Sequence, residues 1–273
     1  MQIKAVDVAK LRKATGAGMM DCKKALQEVN GDFDKAVEII REKGKAIANN
    51  RADRDATEGT VLATTEGKNG VILVLNCETD FVAKNENYVA FVKSILDVAI
   101  KETPEDLNAL KELKLDAKTI EDSVVEQIGI IGEKLELSYY DKISAEHTVA
   151  YIHPGNRLAT LVGFNQANVD GQVAKDVAMQ VAAMDPIAID KDNVSKETVD
   201  EELKIAREKA RLEGKPEEML DKIAMGRLGK FFKESTLLNQ AFIKDSKKSV
   251  KQYLQESNKD LTVTVFKRFT LNV

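Results

Sequence analysis

The chain has 273 residues, enough for one large domain or two to three small ones, and its 43% hydrophobic content is sufficient for a sizeable core. Its 41 basic and 45 acidic side chains are mixed along the sequence for a net charge of −4. That mixture argues against a protein that holds nucleic acid through a basic face. Two distant cysteines, Cys22 and Cys77, suggest neither a disulfide framework nor a zinc site. With no apolar run of signal or membrane-spanning length, a reducing, cytoplasmic setting is expected.

Residues 1–45 read as three short helices. Val8 and Leu11 make a buried stripe on the first, over Val6 to Ala14, before Thr15-Gly16-Ala17-Gly18 breaks it. Cys22, Ala25, Leu26 and Val29 stand at i, i+3, i+4, i+7 on the second, and Phe33, Ala36, Val37 and Ile40 repeat that spacing on the third. Met19 and Met20 sit off the stripe, beside the glycine turn. They either close the small core or form an adaptable contact surface, for which methionine is well suited. Residues 46–58, alanine-rich and charged, read as a semi-rigid, partly helical linker.

A pattern then appears twice. In residues 59–144, strands Gly59–Thr65 and Val71–Asn76 flank a Gly67-Lys68-Asn69-Gly70 turn, as in a hairpin. Helices follow near Asn87–Lys101 and Thr119–Ile131, separated by polar connecting sequence. The last element is an alternating strand, Lys134–Ile143, with Leu135, Leu137, Tyr139 and Asp141 on one face. In residues 145–273, strands His147–Ile152 and Leu158–Phe164 surround His153-Pro154-Gly155-Asn156. Helices Gln172–Ala183 and Ser249–Ser257 and a final strand, Leu261–Leu271, complete the copy. The order predicts an α+β fold of two related halves with antiparallel sheets. The second half carries an insertion, about 195–234, in which two charged helices around Gly214-Lys215-Pro216 form a hairpin. It reads as a solvated arm, or as a contact for a partner or a second copy; a homodimer is compatible with the sequence.

No constellation for covalent chemistry emerges. Gly16-Ala17-Gly18 lacks the third glycine of a dinucleotide fingerprint and follows no strand, and no P-loop is present. His147 and His153 have no neighbours at metal-ligand spacing, and Lys23-Lys24 reads as a solvated spot on the second helix. No cofactor and no metal are expected. The distinctive stretch is Asn76-Cys77-Glu78-Thr79-Asp80-Phe81-Val82-Ala83, where the strongest strand runs into a polar loop. Either Thr79 or Asp80 caps a helical turn and Phe81 enters the core, or Phe81 is an exposed wedge for a partner's pocket.

Four stretches resemble the elongation factor Ts family and together span nearly the whole chain. They are Leu11 to Leu26, which contains Thr15-Gly16-Ala17-Gly18-Met19-Met20; Asn76 to Ala83; Tyr151-Ile152-His153-Pro154-Gly155-Asn156-Arg157; and Leu237-Leu238-Asn239-Gln240-Ala241-Phe242. The resemblance implies a ubiquitin-associated-type three-helix domain, a linker and a two-part core with a helical hairpin. It implies a guanine-nucleotide exchange factor of translation elongation that binds the GTPase EF-Tu with GDP and releases the nucleotide without covalent chemistry. On the family's pattern Thr79, Asp80, Phe81 and Val82 enter EF-Tu near its magnesium site. Arg12, Met19, Met20 and Lys23 touch a helix of the GTPase domain, and His153 faces the phosphate-loop side. Ala241 stands where the family commonly has proline. The chain ends soon after Arg268-Phe269, where some members continue into a further helical module, so that contact is not expected. A non-catalytic adaptor working through residues 1–45 is the alternative reading, and it leaves Thr79-Asp80-Phe81 without a purpose.

Overall fold

The computed structural model describes residues 3–271, so the outermost residues of the first and last expected segments, 1–2 and 272–273, lie outside the described residues. Three helices open the chain: α1 (Ala5–Thr15), α2 (Met19–Glu28) and α3 (Phe33–Arg51). Their stripes meet in a small core of Val8, Leu11, Ala17, Cys22, Ala25, Leu26 and Ala36. Asp32 caps α3 by accepting from the Lys35 N–H. The helix then runs without a break through Gly44 to Arg51, so the first six residues of the expected linker are helical. A reason is visible at Gly44, whose backbone packs directly on Gly129.

The first sheet is built from β1 (Glu58–Glu66), β2 (Asn69–Cys77) and β5 (Leu135–Ser144), all antiparallel in the order β1-β2-β5. A two-residue turn, Gly67-Lys68, closes the β1–β2 hairpin, with Glu66 opposite Asn69. Between β2 and β5 lie α4 (Asp80–Ala83), α5 (Glu86–Glu102), α6 (Leu107–Glu112), the short pair β3 (Lys114–Leu115) and β4 (Lys118–Thr119), and α7 (Ile120–Ile131). What looked like polar connecting sequence after Pro104 thus holds a helix and a small hairpin. Leu110 of α6 is fully buried and explains why that segment is ordered against the core.

The face expected for β5 needs correction. Leu75 pairs with Leu137 while Val74 pairs with Tyr139, which leaves Ser138 as an extra, bulged residue. Past the bulge the alternation flips. Tyr140, not Tyr139, joins Leu135 and Leu137 in the core beneath α5 and α7, and Tyr139 turns to the opposite face and packs on Phe269.

The second sheet repeats the plan with β6 (His147–Ile152), β7 (Leu158–Phe164) and β10 (Val263–Thr270) in the order β6-β7-β10. Its connections are α8 (Gly171–Met184), α9 (Lys196–Leu212), α10 (Leu220–Ser235), β8 (Ala241–Phe242), β9 (Asp245–Ser249) and α11 (Val250–Ser257). In both sheets a hairpin comes first and the last strand joins its second strand. The period-2 alternation of strands splits each set of side chains. Val61, Ala63, Ile72 and Val74 meet Ala159 and Leu161 between the sheets. Leu62, Leu73 and Leu75 pack outward against α5 and α7, and Val162, Phe164 and Val263 pack against α8 and α11. The result is a mixed α+β arrangement of four layers, helix, sheet, sheet, helix. The α9–α10 hairpin is laced by surface ion pairs such as Arg207–Asp221 at 2.6 Å and Arg227–Glu213 at 2.6 Å. Its buried stripe on α10 is Leu220, Ala224 and Leu228 at i, i+4, i+8, with Met225 outside it.

Candidate functional site

The segment after β2 resolves the choice left open for Phe81. Cys77 is buried at the end of the strand, and its thiol, pushed up to about 11 chiefly by burial, donates to the Thr79 carbonyl at 3.2 Å. Thr79 then caps the single turn α4, its hydroxyl oxygen accepting from the Val82 N–H at 3.4 Å. Asn85 closes the segment by capping α5 through the Asn87 and Tyr88 N–H groups. Capping by Thr79 is therefore real, but it does not carry Phe81 inward. Val82 and Ala83 face the core, whereas the Phe81 side chain is 83% exposed. An aromatic ring of this size left in water on a fixed turn is an unusual surface feature.

The turn is tied down from several directions. Glu133 accepts from both the Thr79 N–H, at 3.1 Å, and the Thr79 hydroxyl, at 2.7 Å. Glu78 accepts from the Lys134 N–H at 2.6 Å and pairs with Arg51 at 2.8 Å and Arg54 at 3.1 Å. Burial works against the charge of Glu78, but those three donors prevail and lower its carboxyl to about 2. Arg51 comes from the end of α3, so the opening helices reach the base of the Phe81 turn. Asp80 pairs with Lys84 one turn on at 2.6 Å, and this partner holds its carboxyl below the ordinary range. The ring of Phe81 has no such restraint.

His153 lies in the turn after β6, exposed, with Nδ1 3.1 Å from the Tyr151 hydroxyl. The register places this turn near the Phe81 turn. Glu58 is opposite Cys77 in the first sheet and is ion-paired to Arg157, and the Val61 N–H donates to the Asn156 carbonyl. Both turns thus open at the same end of the two sheets.

The other predicted residues gather elsewhere. Arg12, Met19, Met20 and Lys23 line one open concavity of 670 Å³ between α1 and α2, floored by Ile3, Val8 and Ala9. Met19 and Met20 are 59% and 62% exposed, so they do not close the helical core. Instead they form the apolar wall of a depression rimmed by Arg12 and Lys23. Sequence reading missed Glu133 and Arg51, which hold the Phe81 turn. Neither has a local signal, because each meets its partner across a long stretch of chain. No cluster of three or more histidine, cysteine or carboxylate side chains suited to a metal occurs among the described residues.

A family model described as Elongation factor TS matches residues 78–273, beginning at the Phe81 turn. The chain belongs to the elongation factor Ts family. Three curated members, each named Elongation factor Ts, show that the likeness extends over the opening helices too. The protein from Porphyromonas gingivalis is 51% identical over 273 residues, covering 100% of this chain and 99% of its own. That from Azobacteroides pseudotrichonymphae is 50% identical over 273 residues, with 100% of both chains covered. That from Amoebophilus asiaticus is 51% identical over 272 residues, with 98% of each covered. Membership in the family places the chain among the elongation factors of protein synthesis. Among the described residues no helix is long and apolar enough to cross a membrane.

Proposed function

We propose that this protein is the guanine-nucleotide exchange factor that acts on EF-Tu in the cytoplasm, and that Phe81 is its wedge. The observation that carries this reading is the exposed ring of Phe81 on a turn whose backbone is capped and clamped. Inserting such a ring into a pocket of a partner removes it from water, which is worth about 1.5–3 kcal/mol. That energy is available to displace groups supporting the Mg²⁺ ion, which otherwise bridges and neutralises the nucleotide phosphates. A factor that binds the nucleotide-free GTPase better than its GDP form must, by linkage, weaken GDP to the same degree. No bond is made or broken.

In this reading Thr79 and Val82 set the turn, Asp80 stands beside the wedge, and His153 contributes from the neighbouring turn. Asp80 already has Lys84 as a partner and is solvent-exposed, so its charge contributes less than the shape of Phe81. Arg12, Met19, Met20 and Lys23 form a second contact on a ubiquitin-associated-like helical unit. Their concavity is apolar at the centre and basic at the rim, suited to an amphipathic helix with acidic flanks.

The test is the release rate of fluorescent GDP from purified EF-Tu with wild type, Asp80→Ala and Phe81→Ala. Strong acceleration by wild type that is mostly lost in Phe81→Ala supports the wedge. Binding to EF-Tu without any acceleration would return the protein to the adaptor reading.

A further inference from the structure

The turn that bears Phe81 is too short to hold itself. Four residues form one helical turn, far below the length at which a helix is stable in water. Two of them, Asp80 and Phe81, point away from the core. A capping box would supply the missing support through a Glu or Gln at the third helical position, its carboxylate or amide accepting from the N–H of the capping residue. Here that position is Val82, which has no acceptor.

We infer that Glu133 completes the capping box from outside the helix, and is the residue that aims Phe81. Its two carboxylate oxygens take the Thr79 N–H and the Thr79 hydroxyl proton at 3.1 and 2.7 Å. With its proton directed to Glu133, the Thr79 hydroxyl presents a lone pair to the Val82 N–H. Glu133 is itself fixed at the end of α7, where Gly132 takes a left-handed φ of 79° and donates to the Ile128 carbonyl. The next residue returns the contact, since the Lys134 N–H donates to Glu78. Residues 78–79 and 133–134 therefore exchange hydrogen bonds in both directions. Glu133 is a positioning residue that acts through Thr79, and this role rests on the wedge reading given above.

The experiment measures GDP release from EF-Tu as a function of factor concentration for wild type, Glu133→Ala, Glu133→Gln, Phe81→Ala and the Glu133→Ala/Phe81→Ala double variant. Losing a charge-assisted pair of hydrogen bonds should lower the maximal rate about tenfold in Glu133→Ala. The half-saturating concentration should stay within about twofold, because the Met19–Met20 surface is untouched. Glu133→Gln, which keeps the size and one acceptor, should recover part of the rate. In the Phe81→Ala background the Glu133 substitution should add nothing, as expected of residues acting as a unit. Amide exchange supplies a readout free of EF-Tu: in Glu133→Ala the Ala83 and Lys84 N–H groups, bonded to the Thr79 and Asp80 carbonyls, should exchange faster while those of β2 keep their protection. An unchanged maximal rate in Glu133→Ala, a loss that adds to that of Phe81→Ala, or unaltered exchange at Ala83 and Lys84 overturns the inference. A wild-type rate in Phe81→Ala would sink the wedge itself, an outcome distinct from all of these.

Discussion

Gly44 and Gly129 meet backbone to backbone where α3 crosses α7, and the contact is lopsided. A methyl group built on Gly129 would lie 2.6 Å from the Gly44 Cα, whereas one built on Gly44 would lie 3.7 Å from the Gly129 Cα. The first distance is a clash with backbone and the second is ordinary contact. Gly129→Ala should therefore destabilise the protein by about 1–3 kcal/mol, the usual cost of overpacking. Gly44→Ala should be neutral or stabilise by about 0.5–1 kcal/mol, since glycine is a poor helix former. Urea midpoints of the two variants check this directly; equal midpoints would mean that the helices separate at no cost.

Phe81→Ala should leave the fold alone. With the ring 83% exposed, little buried surface is lost, and the expected change in stability is within about 0.5 kcal/mol. A thermal melt that matches wild type, alongside a large fall in exchange rate, would separate a role in function from one in folding. A clear drop in melting temperature would mean that the ring packs in solution.

Glu78 should make stability depend on acid pH. Its folded carboxyl lies at about 2, below the ordinary 4.5. The stabilisation is therefore fully present above about 4.5 and is lost as the pH falls toward 2. Glu78→Gln should flatten the fall in urea midpoint across that window, while lowering the midpoint at neutral pH because Arg51 and Arg54 lose their partner. A variant with the same acid slope as wild type would assign the slope to other carboxylates.

The Met19–Met20 surface should govern affinity and not the maximal rate. Replacing both with serine removes the apolar wall of the α1–α2 concavity without touching the Phe81 turn. The half-saturating concentration for GDP release should rise about tenfold, as for a typical interface hot spot, with the maximal rate preserved. A drop in maximal rate alone would show that the two surfaces are not independent.

The strands, the duplicated order and the hairpin were readable because each rests on local periodicity and turn residues. The limits of the reading follow from contacts that periodicity does not encode. The linker was expected from residue 46, yet α3 runs on to Arg51, and Gly44 serves a helix crossing against the facing Gly129 that no local pattern announces. The bulge at Ser138 shifts the face of every residue after it, and nothing in the string Leu-Ser-Tyr-Tyr announces an extra residue. Phe81 could not be assigned to core or solvent from sequence, since the exposed ring and the half-buried Val82 are adjacent members of one turn. Glu133 was invisible for a related reason: the acceptor that a local capping motif would place at Val82 comes instead from Glu133, 54 residues after Thr79.

The shared apolar layer between the two sheets has a consequence for how the chain must be made. β5 completes the first sheet at Ser144, but the inner face of that sheet, with Val61, Ile72 and Val74, is covered only by the second. The second sheet in turn waits for β10, whose Thr264 meets Gly163 from 101 residues further along. During synthesis, at roughly 5–20 residues per second, the first half therefore stands half-covered for several seconds. Over that interval a nascent chain carries an apolar surface that only its own later half covers.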